Sequence, residues 1–164
     1  MPQIHVPDPG TPGLTFVPRE FDTEGGDGSP LHGRGWVIHD PDGRAIAEDD
    51  PLLAEHGILI FNAAGTSHRP DALQLPSFNP GSAVSLVAEP DNPFDEHAIA
   101  IWDAARDLQA GYVPAALTSR VAALLSAPAA RAYVWWDWLS DARRTGLKVI
   151  VLPRARRFRP YPSP

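Results

Sequence analysis

The polar residues most able to do chemistry cluster in Glu89–Asp95, where Glu89, Asp91, Asn92 and Asp95 are interleaved with Pro90, Pro93 and Phe94. Carboxylates at such spacing could hold a hard cation or accept hydrogen bonds from hydroxyl groups. A calcium loop needs alternating oxygen ligands, a central Gly and a closing Glu. Pro93 breaks that alternation and the segment has no Gly, so no metal is expected there. A second polar group is Ser67-His68-Arg69. It lacks the G-x-S-x-G context of a nucleophile elbow, and a Ser next to a His in sequence normally points away from it. The six His residues (5, 32, 39, 56, 68 and 97) show no H-E-x-x-H spacing, and no P-loop is present. With zero Cys, disulfides and thiolate metal sites are excluded as well. No catalytic residue and no cofactor is expected: the chain does not read as an enzyme.

The element that must position the acidic cluster is Val84–Asp103, VSLVAEPDNPFDEHAIAIWD. Two apolar runs, Val84–Ala88 and Ala98–Trp102, read as strands. Pro90 and Pro93 lack an N–H and push Glu89 and Asn92 out of the α region. Asp91, Asn92 and Asp95 can bond neighbouring backbone groups and hold the loop in one shape. The segment therefore reads as a rigid, acidic knuckle between two strands. Long ordered loops on a scaffold tend to carry function.

Around it, 164 residues with 43% hydrophobic content suggest one domain with a real core. The 19 Pro and 13 Gly favour short strands and turns over long helices. Met1–Gly13 reads as an irregular lead-in without the pattern of a signal peptide. Leu14–Glu20 reads as an edge strand because of Pro18, and Asp22–Gly35 as a mobile, Gly-rich loop. Trp36–Glu48 reads as a hairpin turning at Asp40–Gly43. Residues 1–50 form an N-terminal extension with that hairpin. Further strands are expected at Gly57–Ala63, Gln109–Val113, Arg131–Leu139 and Leu147–Leu152.

Pro114 opens a helix over 115–127 whose stripe is Leu117, Val121, Leu124 and Leu125. The sum is about seven mostly antiparallel strands with one clear helix, most economically closed as a small barrel. Adjacent Trp135 and Trp136 are expected on opposite faces of their strand, one of them outside the core.

Charge is uneven along the chain. Residues 1–140 hold 19 acids against 7 Lys/Arg, and residues 141–164 hold one acid against 7 Lys/Arg. Arg143, Arg144, Lys148, Arg154, Arg156, Arg157 and Arg159 thus read as a basic patch on an acidic body of net charge −6. Such a body is a poor general binder of nucleic acid, but a local basic surface can serve a strand end. No apolar run is long enough to cross a membrane, and a cytoplasmic location is expected.

The run Ala64–Leu125 resembles the HIRAN domain. The matching pieces are AAGTSHRPDALQLPSFNPG, then VSLVAEPDNPFDEHAIAIW, then AGYVPAALTSRVAALL, in that order. Counting the last hairpin, the resemblance covers residues 57–152 and leaves 153–164 as a basic, Pro-rich tail. It implies a mainly β fold, a small OB-like antiparallel β-barrel with one or two flanking helices. It also implies a non-catalytic module for single-stranded DNA, capturing the 3′ end, in DNA repair or a related process. In this family such domains sit on helicase-like proteins, so a helicase or nuclease partner is implied.

Carried over by the resemblance, Asn92 and Asp95 would bond the terminal nucleotide or its 3′-hydroxyl, with Asp91 beside them. Phe94 would stack a base, and His68 and Arg69 would line the opposite wall. The departures are Phe94 where Tyr is common and the absence of the aromatic pair expected near His68-Arg69. The different-class alternatives are a protein–protein interaction module that has lost DNA binding, and a metal-dependent nuclease accessory.

Overall fold

One strand, β8 (Arg131–Ser140), organises the sheet by pairing with three others. The computed structural model describes residues 13–155. The other strands are β1 (Thr15–Glu24), β2 (Pro30–His39), β3 (Ala45–Ile46), β4 (Leu59–Asn62), β5 (Ala83–Ala88), β6 (Ile99–Asp103), β7 (Gln109–Tyr112) and β9 (Arg143–Leu152). Two α-helices, α1 (Pro51–Glu55) and α2 (Thr118–Leu125), flank them. The lead-in before Gly13 and the tail cations Arg156, Arg157 and Arg159 lie outside the described residues.

All pairing is antiparallel. From β8 the sheet runs through β5, β6 and β7 in one direction, and through β9 to β4 in the other. Ala64, just past β4, meets Tyr112 of β7 through two reciprocal backbone hydrogen bonds of 2.8 Å. The sheet does not close as a continuous ladder; this single bridge brings its ends together. The architecture is the mainly β, OB-like fold expected, with an inner core that includes Leu59, Phe61, Phe78, Ile101, Val121, Val134 and Val149.

The N-terminal region departs from expectation. β1 runs on to Glu24 and pairs with β2 over ten residues, so Asp22–Gly35 is mostly strand rather than mobile loop. The glycines that suggested a loop are space-makers inside a strand. A Cβ on Gly33 would lie 2.6 Å from the Trp138 ring, and one on Gly35 2.3 Å from the Trp135 carbonyl oxygen. The expected hairpin at Asp40–Gly43 exists, but its second arm, β3, contributes only two pairs. Helix α1, unanticipated, starts just after the run Glu48-Asp49-Asp50: Asp50 caps it by accepting from Leu52 N–H at 2.9 Å.

Trp135 and Trp136 are both buried, at 0% and 4% exposure, against the expectation that one would lie outside. The reason is a β-bulge: the β8/β9 register shifts between Val134 and Trp136, leaving Trp135 as the extra residue. Alternation fails there, and both rings join an outer core with Phe16, Trp36, Ile38 and Ile150. Phe16 meets Trp135 edge-on at 4.9 Å, and Glu48 Oε2 accepts from Trp135 Nε1–H at 3.0 Å.

The basic patch is also revised. Arg144 is buried and donates to Asp137, itself fully buried, which Arg34 grips with two further bonds of 3.0 and 3.1 Å. Burial lowers the Arg144 pKa from its ordinary value, and Asp137 opposes that shift. Arg144 also donates to the carbonyls of Leu73 and Leu75 and to Asn79 Oδ1. Lys148 pairs with Glu48 at 2.7 Å. Arg144 and Lys148 thus hold the fold together and leave the patch, whereas Arg143 and Arg154 are exposed.

In the last third, the helix read over 115–127 begins as a 3₁₀ turn at Ala115–Leu117 and becomes α-helical at Thr118. Pro114 precedes that turn in extended conformation, ψ 138°, instead of occupying the first helical position. The apolar stripe is as read: Val121 is buried and Leu117, Leu124 and Leu125 pack against the inner core.

Candidate nucleic-acid interface

The knuckle hangs from the β5–β6 ladder, whose last pair is Ala88 with Ile99. One further backbone bond, Glu89 N–H to the Ala98 carbonyl at 2.8 Å, closes its base. Beyond that the two prolines prevent a ladder; two turn bonds remain, Asn92 N–H to the Glu89 carbonyl (2.9 Å) and Ala98 N–H to the Asp95 carbonyl (3.1 Å), and side chains supply the rest. Asn92 Oδ1 accepts from the N–H groups of Phe94 (2.9 Å) and Asp95 (3.1 Å), while its Nδ2 donates to Glu89 Oε1 at 3.0 Å. Tyr112 Oη donates to the same Glu89 oxygen at 3.0 Å. Asp95 Oδ1 accepts from His97 N–H at 2.8 Å. Five side-chain bonds therefore fix a loop that the backbone alone cannot.

This frame divides its residues by role. Asn92 is committed to shape, with one amide hydrogen left over. Asp95 keeps Oδ2 clear of hydrogen bonds among the described residues, and the Asp91 carboxylate is exposed. Phe94 is 95% exposed at the tip, so it does not plug the barrel end. Asp91, Asn92, Phe94 and Tyr112 line an open cleft of about 550 Å³.

His68 and Arg69 fall elsewhere. They sit at the end of a 3₁₀ turn, Thr66–His68, anchored by buried Thr66. Neither side chain makes a hydrogen bond or ion pair among the described residues. They line a second cleft of about 370 Å³ with Asp71, Trp102, Asp107 and Gln109. The two clefts lie at opposite ends of β7, Tyr112 in one and Gln109 in the other. They are three residues apart along the strand, with a register shift against β6 between them. The structure thus groups Asp91, Asn92 and Phe94 around one cleft, next to Asp95, and His68 with Arg69 around another.

The residue pattern did not point to Tyr112 or Trp102 as members of these clefts. Ile99 and Ile101 are buried in the inner core, so strand alternation turns Trp102 outward, which is the signal that could have found it. It places one aromatic ring in the cleft of His68 and Arg69. Among the described residues, no group of three or more His, Asp or Glu is arranged to hold a metal ion, and no helix is long and apolar enough to cross a membrane.

The HIRAN domain family model matches residues 56–147, 92 of the 164 residues. This chain belongs to the HIRAN domain family. No curated protein and no solved structure matches it. HIRAN domains are DNA-binding domains. The matched span contains both clefts, the knuckle and α2, whereas β1, β2, β3 and α1 precede it.

Proposed function

We propose that this HIRAN domain is a non-catalytic module that binds single-stranded DNA at its 3′ end, in DNA repair or a related process. A single exposed aromatic ring on a rigid support stacks an unpaired base; a base inside a duplex offers no free face. Phe94 is such a ring. The carboxylate of Asp95 accepts from a free 3′-hydroxyl but repels a phosphate, so a strand that continues past the site is disfavoured. Asp91 and the remaining Asn92 amide hydrogen lie beside the terminal sugar, and Arg69 with His68 meets the strand further along. The protein supplies recognition, and a helicase or nuclease partner acts on the captured end.

The observation that carries this reading is the exposure of Phe94 on a knuckle held by five side-chain bonds. It is tested by Phe94→Ala in fluorescence anisotropy with a 3′-hydroxyl oligonucleotide. Loss of one stacked base predicts about a tenfold weaker Kd, with an unchanged melting temperature because the ring buries almost nothing. Unchanged affinity would remove Phe94 from the site.

A further inference from the structure

We infer that the cleft at the Gln109 end of β7 is a second base-binding subsite, in which Trp102 stacks a nucleobase and Gln109 contacts its edge. The inference rests on the DNA reading above and deepens it.

Three features distinguish this cleft from a surface dent. Trp102, on β6, is half-buried and lines its wall, so part of the side chain is open to the cleft. Gln109 is buried, at 8% exposure, and its Nε2 donates to the Gly111 carbonyl at 3.1 Å. Its Oε1 makes no hydrogen bond among the described residues, which leaves an acceptor and one amide hydrogen side by side, the pattern that pairs with a base edge. The floor is held in register by buried Asp103, whose Oδ1 accepts from the N–H groups of Asp107 (2.8 Å) and Leu108 (3.2 Å).

Charge chooses which part of a nucleotide enters. Asp71 and Asp107 stand on the rim with Arg69 and His68. Two carboxylates repel a phosphate and accept from the amino groups of bases. The base therefore goes into the cleft, and the phosphate stays outside on Arg69. The two clefts open at opposite ends of the four-residue strand β7, a span of a few stacked nucleotide steps. A strand whose last base lies on Phe94 reaches Trp102 with a base two to four nucleotides from its end.

The test is an abasic scan of a short 3′-hydroxyl oligonucleotide against the intact protein, read by anisotropy. Two separate losses of about tenfold are expected, one at the terminal nucleotide and one two to four nucleotides inward. The inner loss is expected to vanish in Trp102→Ala, already weakened, and to persist in Trp102→Phe, which keeps a stacking face. A loss at the terminal nucleotide alone would overturn the second subsite and leave the end-binding reading standing. No binding of any oligonucleotide would overturn both. The scan on the unaltered protein decides between these outcomes even if Trp102→Ala fails to fold.

Discussion

Asn92 accepts two backbone N–H groups through Oδ1 and ties itself to Glu89 through Nδ2, so its side chain replaces the ladder that Pro90 and Pro93 forbid. Replacing Asn92 with Ala strands those donors and is expected to cost about 1–3 kcal/mol, read as a lower urea midpoint. DNA affinity should fall with it, because the tip loses its shape. A midpoint identical to wild type would show that the prolines, the backbone turn bonds and the Asp95 and Tyr112 side chains hold the loop without it. Much of this was legible in the sequence, since Pro, Asn and Asp act on their own neighbours. The Tyr112–Glu89 bond, 23 residues apart, and the place of Trp102 beside Arg69 were not. Both depend on strand register, which no local pattern fixes.

Elements were readable where their signals were local and misread where a distant strand overrode them. The stripe of α2 and the strands β4 to β7 follow from periodicity. The glycines of β2 looked like a loop because nothing nearby announces the tryptophans of β8, a hundred residues away, that occupy their missing side chains. The bulge at Trp135 is equally invisible locally. At the β8–β9 connection only Asp141 and Ala142 intervene, with φ of 49° and 63°. Ala is strained in that left-handed region, so Ala142→Gly is expected to raise stability by about 1 kcal/mol in urea unfolding. A lower midpoint would contradict this account of the turn.

The β1–β2 hairpin carries a pH signature. His32 lies 2.8 Å from both Asp22 and Glu20, and its pKa is raised above 6.5, chiefly by the Asp22 hydrogen bond, against a burial effect that lowers it. A raised folded-state pKa means the stabilisation is fully present below about 6.5 and fades as pH climbs through the raised value. The stability lost in His32→Gln should therefore be larger at pH 5.5 than at pH 8.5. The pair is partly exposed, so the difference is small; a difference of the opposite sign would refute it.

For the molecule as a whole, the distribution of charge decides what kind of binder this is. Two of the seven cations in the apparent basic end are consumed internally: Arg144 in the triad with Asp137 and Arg34, and Lys148 on Glu48. With a net charge of −6, the body is a poor general binder of DNA by phosphate neutralisation along a strand. The proposed mode is contact with an end, through a stacked base and a carboxylate facing a free hydroxyl. The most direct test is fluorescence anisotropy at low salt with two oligonucleotides that differ only in a 3′-hydroxyl or a 3′-phosphate, using wild type and Asp95→Asn. Wild type is expected to bind the hydroxyl form at least tenfold more tightly, and Asp95→Asn to lose most of that preference. Equal affinity of the wild type for both ends would contradict the recognition of a 3′ terminus.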